Sequence, residues 1–224
     1  MKRLKSRSRF AKPQGFTLVE LLVVIGIIVI LAAVISVAGT AAIRSAKRAK
    51  ANSMAANIQT AVMAYYTEYG VYPIPSTATA GNDYEIHDTA ANASAWGNLI
   101  YALCGNVNPY SPTTTMTSTV SNTRSIAFLQ FKATDVDSNP APLNPFDTVS
   151  GGVVSNGTGS VYFNVAMDGN YDGILGTGGA TGISDMPNFA AGATTGGTTS
   201  AGAAVWVNCN VTGGSSLINY RYTY

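Results

Sequence analysis

One carboxylate in the sequence stands where a charge is costly. Glu20 is the only charged residue in the apolar segment 16–38. A charged side chain inside a bilayer is expensive, and such residues usually have a functional partner of opposite charge. Glu20 is therefore predicted to pair with a cation, and an apolar environment would make that pairing obligatory.

A second group of polar residues has the spacing of cation ligands. The run from Asp168 to Gly173 reads D-x-N-x-D-G, with oxygen donors at Asp168, Asn170 and Asp172. Alternate oxygen donors followed by a glycine open the EF-hand type of calcium loop. The match is partial, because the twelfth position is Gly179 instead of Glu, and Asp185 or backbone carbonyls would have to complete the shell. Two interpretations stay open: a Ca²⁺ site, and an Asx-type turn between strands.

The two cysteines, Cys104 and Cys209, are 105 positions apart. In a head outside the cytoplasm, an oxidising compartment would favour a disulfide between them. Two buried free thiols are the alternative, since spacing alone does not bring two Cα atoms within about 7 Å.

The elements that position Glu20 are a basic leader and a long apolar helix. Residues 1–15 contain six Lys and Arg and no acid, and the 23 residues of 16–38 follow. At 1.5 Å per residue that segment gives roughly 34 Å of helix, enough to cross a bilayer core. The basic leader predicts an N-terminus in the cytoplasm, although four cations on the far side, within 44–50, oppose this orientation. Those four are expected to form a solvated face, or to contact anionic lipid or a neighbouring subunit.

The start of this segment resembles a known processing signal. The residues Lys12-Pro13-Gln14-Gly15, followed by Phe16-Thr17-Leu18-Val19-Glu20 and an unbroken apolar run, are similar to the class III signal of type IV pilins and type II secretion pseudopilins. The resemblance implies that a prepilin peptidase cuts between Gly15 and Phe16 and methylates the new amine of Phe16. It also implies that Glu20 pairs with such an amine between neighbouring subunits during filament assembly. A secretory signal peptide or a simple membrane anchor would leave Glu20 unexplained.

The helix is predicted to continue well beyond the membrane. Residues 40–69 contain no Pro or Gly, and an apolar stripe recurs at spacings of three and four at Met54, Ile58, Val62, Tyr65, Tyr66 and Tyr69. Gly70 is the expected C-cap, and prolines at 73 and 75 prevent continuation. The predicted organisation is a leader at 1–15, a membrane and filament-core helix at 16–38, an amphipathic half at 39–69 and a head at 70–224.

The head is expected to be α+β, with an antiparallel sheet packed on the long helix. A short helix is predicted at 95–103, and strands at 160–167, 204–209 and 216–223. Residues 124–132 are ambiguous between helix and strand, and 189–204 is predicted to be loop. No catalytic triad spacing, nucleotide loop or paired-carboxylate cleft is present, so the chain is not expected to be an enzyme. A net charge of +2 does not favour nucleic-acid binding.

Further resemblances in the head favour one branch of the pilin superfamily. The Tyr69-Gly70-Val71-Tyr72-Pro73 turn is similar to the helix end of major pseudopilins, and calcium binding at the 168–173 run would fit that family. The run Leu143-Asn144-Pro145-Phe146 resembles a pseudopilin head motif but lacks its Asp-Pro-Trp-Gly form. The resemblance implies a type II secretion pseudopilus subunit that works with an inner-membrane assembly platform. The alternative is a subunit of an extracellular pilus used for adhesion or surface interaction.

Overall fold

The computed structural model describes residues 15–76, 78, 81–87, 89–113, 116–146, 149–150, 153–154, 162–176, 200–208 and 220–223. The chain forms two compact units, Met1–Ser45 and Ala46–Tyr224. Within the described residues, two α-helices and six strands follow in chain order: α1 Leu18–Tyr69, β1 Tyr84–Ile86, α2 Ala93–Leu103, β2 Val149–Ser150, β3 Val153–Val154, β4 Asn164–Met167, β5 Ala203–Asn208 and β6 Tyr220–Thr223. Short 3₁₀ turns occupy Ala90–Asn92 and Ala133–Asp135. The fold is α+β, with a long N-terminal helix and an antiparallel sheet, as the sequence predicts.

The long helix α1 has 52 residues and ends where the sequence predicts. Gly70 follows its last residue with a φ of 69°, the left-handed conformation that glycine adopts readily at a helix end. The Gly70 N–H donates to the Tyr66 carbonyl at 2.8 Å, which satisfies one of the last helical carbonyls.

The four strands β1, β4, β5 and β6 form one antiparallel sheet in the spatial order β1-β4-β5-β6. The register places Val165 opposite Val205, and Asn164 opposite Trp206. Strands β2 and β3 pair separately as a two-stranded ribbon. Because alternate residues of a strand face opposite sides, β4 and β5 present one face to each of two apolar clusters.

The larger cluster is the core of the second unit, and it joins α1 and α2 to the sheet. From the sheet it takes Val165, Val205 and Val207; from α1 it takes Ala51, Met54, Ala55, Ile58, Ala61, Val62 and Tyr65. The predicted stripe of α1 is therefore confirmed as core, with Tyr66 and Tyr69 partly buried at its edge. Two hydrogen bonds fix the layers, from Gln59 Nε2 to the Ala203 carbonyl at 3.0 Å and from Trp96 Nε1 to the Phe163 carbonyl at 2.9 Å.

The smaller cluster covers the opposite face of the sheet with Ala166, Leu175, Ala204 and Trp206. Trp206 is completely buried there, and its indole N–H has no hydrogen-bond partner within the part of the chain that the structure describes. It differs in this respect from Trp96, which is equally buried.

Several predicted elements differ from the structure in extent. The strand predicted at 160–167 is regular only over β4, and its Tyr162 makes an isolated antiparallel bridge with Leu143. Residues 124–132 form neither a helix nor a strand: Ala127 bridges Cys104, and the N–H groups of Phe128 and Leu129 both donate to the Leu103 carbonyl. The strand β1 and the ribbon β2–β3 were not predicted. Most of the loop predicted at 189–204 lies outside the described residues, although its last two residues begin β5.

Candidate processing and assembly site

The helix α1 begins at a reciprocal cap made by Thr17 and Glu20. The N–H and the Oγ1 of Thr17 both donate to Glu20 Oε2 at 2.8 Å, and the Glu20 N–H donates to Thr17 Oγ1 at 3.2 Å. This is the capping box, in which a Thr at the N-cap and a Glu three residues later satisfy each other's backbone donors. Glu20, which is predicted to pair with a cation, therefore already caps the helix within its own chain.

The cap also places the carboxylate correctly for the helix dipole. The first turn of a helix carries partial positive charge on its free N–H groups, and an anionic side chain there is stabilising. Sequence reasoning singled out Glu20 but missed Thr17, although the T-x-x-E spacing before an apolar run was a readable signal.

The bond predicted to be cut lies just outside this cap. Gly15 and Phe16 precede the helix, both are exposed, and Phe16 retains 78% of its accessible surface. A Cβ built on Gly15 would meet no atom within 4 Å, and its φ lies outside the left-handed region. Nothing in the described fold therefore requires glycine at position 15.

Beyond the cap, the first half of α1 exposes an apolar surface. Fifteen large apolar side chains between Phe16 and Ile35 keep 45–82% of their surface accessible. They are Phe16, Leu18, Val19, Leu21, Leu22, Val23, Val24, Ile25, Ile27, Ile28, Val29, Ile30, Leu31, Val34 and Ile35. An 18-residue stretch of α1 has a mean hydropathy of 3.3 and is exposed throughout. The helix is therefore long and apolar enough to cross a membrane. An exposed apolar surface of this extent marks contact with a membrane or another protein.

Comparison with known families decides the nature of this N-terminus. Residues 11–36 match the family described as the prokaryotic N-terminal methylation motif. The chain carries a prokaryotic N-terminal methylation motif. Its N-terminus is therefore of the type IV pilin or pseudopilin kind, and this motif implies processing by a prepilin peptidase and use as a pilin-like filament subunit. Pilin-like proteins are typically structural and not enzymatic. The chain has no significant match among curated proteins or solved structures.

In the head, the 168–173 run forms a turn held by its own side chains. Asp168 accepts from the N–H groups of Asp172 and Gly173, at 3.2 and 2.9 Å. Asn170 accepts from the Asp172 N–H at 3.0 Å, and Asp172 accepts from the Ile174 N–H at 2.8 Å. These are Asx-type contacts, so the three residues proposed as calcium ligands do come together, but around backbone donors. No group of three or more His, Cys, Asp or Glu side chains suited to a metal ion occurs among the described residues.

A further carboxylate, Asp83, joins this turn from just before β1. Its Oδ2 accepts from the Gly176 N–H at 2.7 Å, whereas its buried Oδ1 has no partner among the described residues. Burial raises the pKa of Asp83, and the charges of Asp168 and Asp172 raise it further, against hydrogen bonds from the Gly176 and Gly169 N–H groups. Sequence reasoning did not place Asp83 at this turn, because 85 positions separate it from Asp168. Gly179 and Asp185, considered for the same site, lie outside the described residues.

Only one of the two cysteines is described. Cys104 is buried at the end of α2, and burial raises the pKa of its thiol to about 11. Cys209 lies outside the described residues, so the disulfide stays a prediction.

Proposed function

We propose that this chain is a type II secretion-type pseudopilin. In this proposal it enters the inner membrane with its N-terminus in the cytoplasm, is cut between Gly15 and Phe16, and is methylated on the Phe16 amine. An inner-membrane assembly platform then adds it to a filament whose subunits are identical or related pilins, in the periplasm or beyond. The observation that carries the proposal is the exposed apolar half of α1, opened by the Thr17–Glu20 cap within the matched methylation motif.

The position of Gly15 and Phe16 supports cleavage at that bond. The bond is exposed and precedes the first helical residue, so cutting it removes the basic leader and leaves the cap and α1 intact. Since no contact or backbone angle in the described structure requires glycine at 15, we attribute this residue to the substrate preference of the peptidase.

Cleavage would also change the partner of Glu20. The new cationic amine at Phe16 would stand one residue before Thr17, whose N–H already donates to the Glu20 carboxylate. In an apolar filament core, an amine from a neighbouring subunit would neutralise the Glu20 carboxylate. A subunit that lacks this carboxylate would leave the neighbouring amine as a buried, unpaired cation. Glu20 therefore acts first as a helix cap and then as the device that sets the register between subunits.

The exposed side chains supply the driving force for both environments. Full burial of one Val, Leu, Ile or Phe side chain is worth about 1.5–3 kcal/mol, so covering the half-exposed set is worth on the order of 10 kcal/mol or more. Lipid covers this surface before assembly, and neighbouring helices cover it afterwards. Because either cover supplies a similar apolar contact, transfer from membrane to filament needs specificity from Glu20 more than it needs additional hydrophobic burial.

The pseudopilus is favoured over a pilus by the contact between two features of the head. Tyr72, from the turn that follows α1, stacks on Tyr66 with ring centroids 4.5 Å apart and on Tyr171 at 5.7 Å. Tyr171 belongs to the turn at 168–173. The helix end and this turn, which both resemble major pseudopilins, are therefore in direct contact. An extracellular pilus subunit is the second candidate, because a head with so few charged residues suits an exposed filament surface.

We also propose that the turn at 168–173 binds Ca²⁺. Asp168, Asn170 and Asp172 would supply its oxygen ligands, and its charge would favour the ionised form of Asp83, whose pKa is raised by burial and by the charges of Asp168 and Asp172. Calcium titration of the purified chain is expected to raise its melting temperature. No change would leave the turn as a purely structural Asx arrangement.

The proposal is tested by the N-terminus of the protein from membranes. Mass spectrometry is expected to find a chain that begins with N-methyl-Phe16, and an unprocessed Met1 terminus would refute the proposal. Glu20→Ala should be processed normally but should fail to form filaments, whereas Thr17→Ser, which keeps a capping hydroxyl, should assemble. Normal filaments from Glu20→Ala would exclude the assembly role of Glu20.

The choice between the two filaments needs the producing cell. If the chain is a pseudopilin, deletion of its gene should block export of secreted proteins and should not change the fibres on the cell surface. Loss of shed or surface filaments with normal export would instead assign it to an extracellular pilus.

A further inference from the structure

Three cations follow the apolar segment and have no ion-pair partner among the described residues. Arg44 is the first charged residue after Glu20, and Lys47 and Arg48 come three and four positions later. Arg44 and Arg48 are exposed and Lys47 is half-buried. The ion pairs found within the described residues include none of the three.

The fourth cation of this region behaves differently. Lys50 Nζ lies 2.6 Å from Asp135 Oδ1, at the 3₁₀ turn of the head, so its charge is paired within the second unit. The spacing i, i+3, i+4 places Arg44, Lys47 and Arg48 on one side of a helix. Lys50 is thus an internal control for Arg44, Lys47 and Arg48.

The distance along the helix places Arg44 at the far surface of a membrane. Arg44 lies 28 positions after Phe16, which corresponds to about 42 Å of helix and equals the full thickness of a bilayer with its headgroups, roughly 40–45 Å. Lys47 and Arg48 follow within about another 6 Å, within reach of the headgroup layer for long side chains that extend along the helix.

These cations need an explanation because they oppose the orientation of the chain. Basic residues on the far side of a membrane helix weaken the positive-inside signal that the leader provides. Unpaired charges at headgroup level are instead complementary to lipid phosphates. Asp135 is not available for a contact with a second copy, because it already pairs with Lys50.

We propose that Arg44, Lys47 and Arg48 form a collar that binds anionic phospholipid headgroups of the far leaflet. The collar sets the depth of the subunit in the membrane before assembly, and its contacts must be released when the subunit is extracted into the filament. This inference rests on the proposed function only in requiring that α1 crosses the membrane.

The test is to count lipids bound to the full chain. The chain is purified in detergent, mixed with equal phosphatidylglycerol and phosphatidylcholine, and examined by native mass spectrometry. All variants carry glutamine at the six basic leader positions, so that only cations after the apolar segment are compared. Each cation near an anionic surface contributes roughly five-fold in affinity, so replacing all three should reduce the preference for phosphatidylglycerol by about 100-fold.

Two control variants make the result specific. Lys50→Gln should keep the preference, because that charge is paired with Asp135. Arg44→Lys combined with Arg48→Lys should also keep it, because the charge remains. An unchanged melting temperature of the head would establish that the triple glutamine variant is folded.

A triple variant that retains the preference, or a Lys50→Gln variant that loses it equally, would overturn the collar. So would cross-linked dimers that form in phosphatidylcholine alone and vanish in the triple variant, since these would assign the cations to a second copy. The assay needs neither peptidase nor filament. A missing N-methyl-Phe16 would therefore refute the proposed function while leaving the lipid result to stand or fall by itself.

Discussion

The two tryptophans of the head allow a matched test of its packing. Both Trp96 and Trp206 are completely buried, but within the described part of the chain only Trp96 has a partner for its indole N–H. Replacing either with Phe removes a similar volume, so the cost of the cavity is common to the two variants. The variants should differ because one loses a hydrogen bond and the other removes an unsatisfied donor.

The expected difference follows from these two contacts. Trp96→Phe loses the 2.9 Å bond to the Phe163 carbonyl, which costs about 1–2 kcal/mol, and Trp206→Phe removes a buried donor whose burial costs about 1–3 kcal/mol. We expect Trp96→Phe to be less stable than Trp206→Phe by about 3 kcal/mol. In a protein of this size, that difference corresponds to a melting temperature lower by about 6–12 °C.

The assay is thermal unfolding of the full chain in a mild detergent, followed by tryptophan fluorescence. The sequence has two tryptophans, so each variant retains one as a fluorescent probe of the unfolding of the head. Far-ultraviolet circular dichroism supplies a second, probe-independent transition. Equal melting temperatures, or a less stable Trp206→Phe, would show that the hydrogen-bond reasoning is wrong for this sheet.

Four further predictions concern the head. Burial raises the pKa of Asp83, so the head should lose stability as pH rises through that pKa. Asp83→Asn should therefore have a higher melting temperature than the unmodified protein at pH 7, and this advantage should disappear in acid. A gain that is the same at all pH values would contradict the assignment. Gly97→Ala should cost about 1–3 kcal/mol in denaturant unfolding, because its Cβ would collide with the Asn139 carbonyl. Gly173→Ala has open space at a φ of 78° and should cost only about 1–2 kcal/mol of backbone strain, so a larger loss than for Gly97→Ala would be unexpected. Alkylation without reductant should leave Cys104 and Cys209 unmodified if they are paired, and equal modification with and without reductant would exclude the disulfide.

The long helix was predictable because its signals are local. The alanine-rich stretch, the apolar stripe and the glycine at position 70 all act within a few residues, and α1 ends at Tyr69 accordingly. The helix α2 and the strand β5 were found within two residues of their bounds for the same reason.

The missed elements depend on distant partners. The three residues of β1 form a strand because β4 pairs with them, and no periodicity is readable in so short a run. The ambiguous residues 124–132 stay irregular because Phe128 and Leu129 donate to the end of α2, which fixes them outside the sheet.

The candidate site was predictable in the same measure. Gly15, Phe16 and Glu20 form a contiguous signal, so the sequence alone identifies them as candidates. The cap by Thr17 was not predicted, because the interpretation of Glu20 rested on its charge alone. In the structure the Thr17 N–H and hydroxyl both donate to the Glu20 carboxylate. Asp83 was missed because only the folded sheet brings the start of β1 beside the end of β4.

The position of the core along the chain has a consequence for biogenesis. Among the described residues, every buried apolar side chain lies at or beyond Ala51. The buried apolar contacts described for the head therefore do not include the first half of α1. In the orientation proposed above, folding of the head and removal of the leader would therefore be independent steps that can occur in either order.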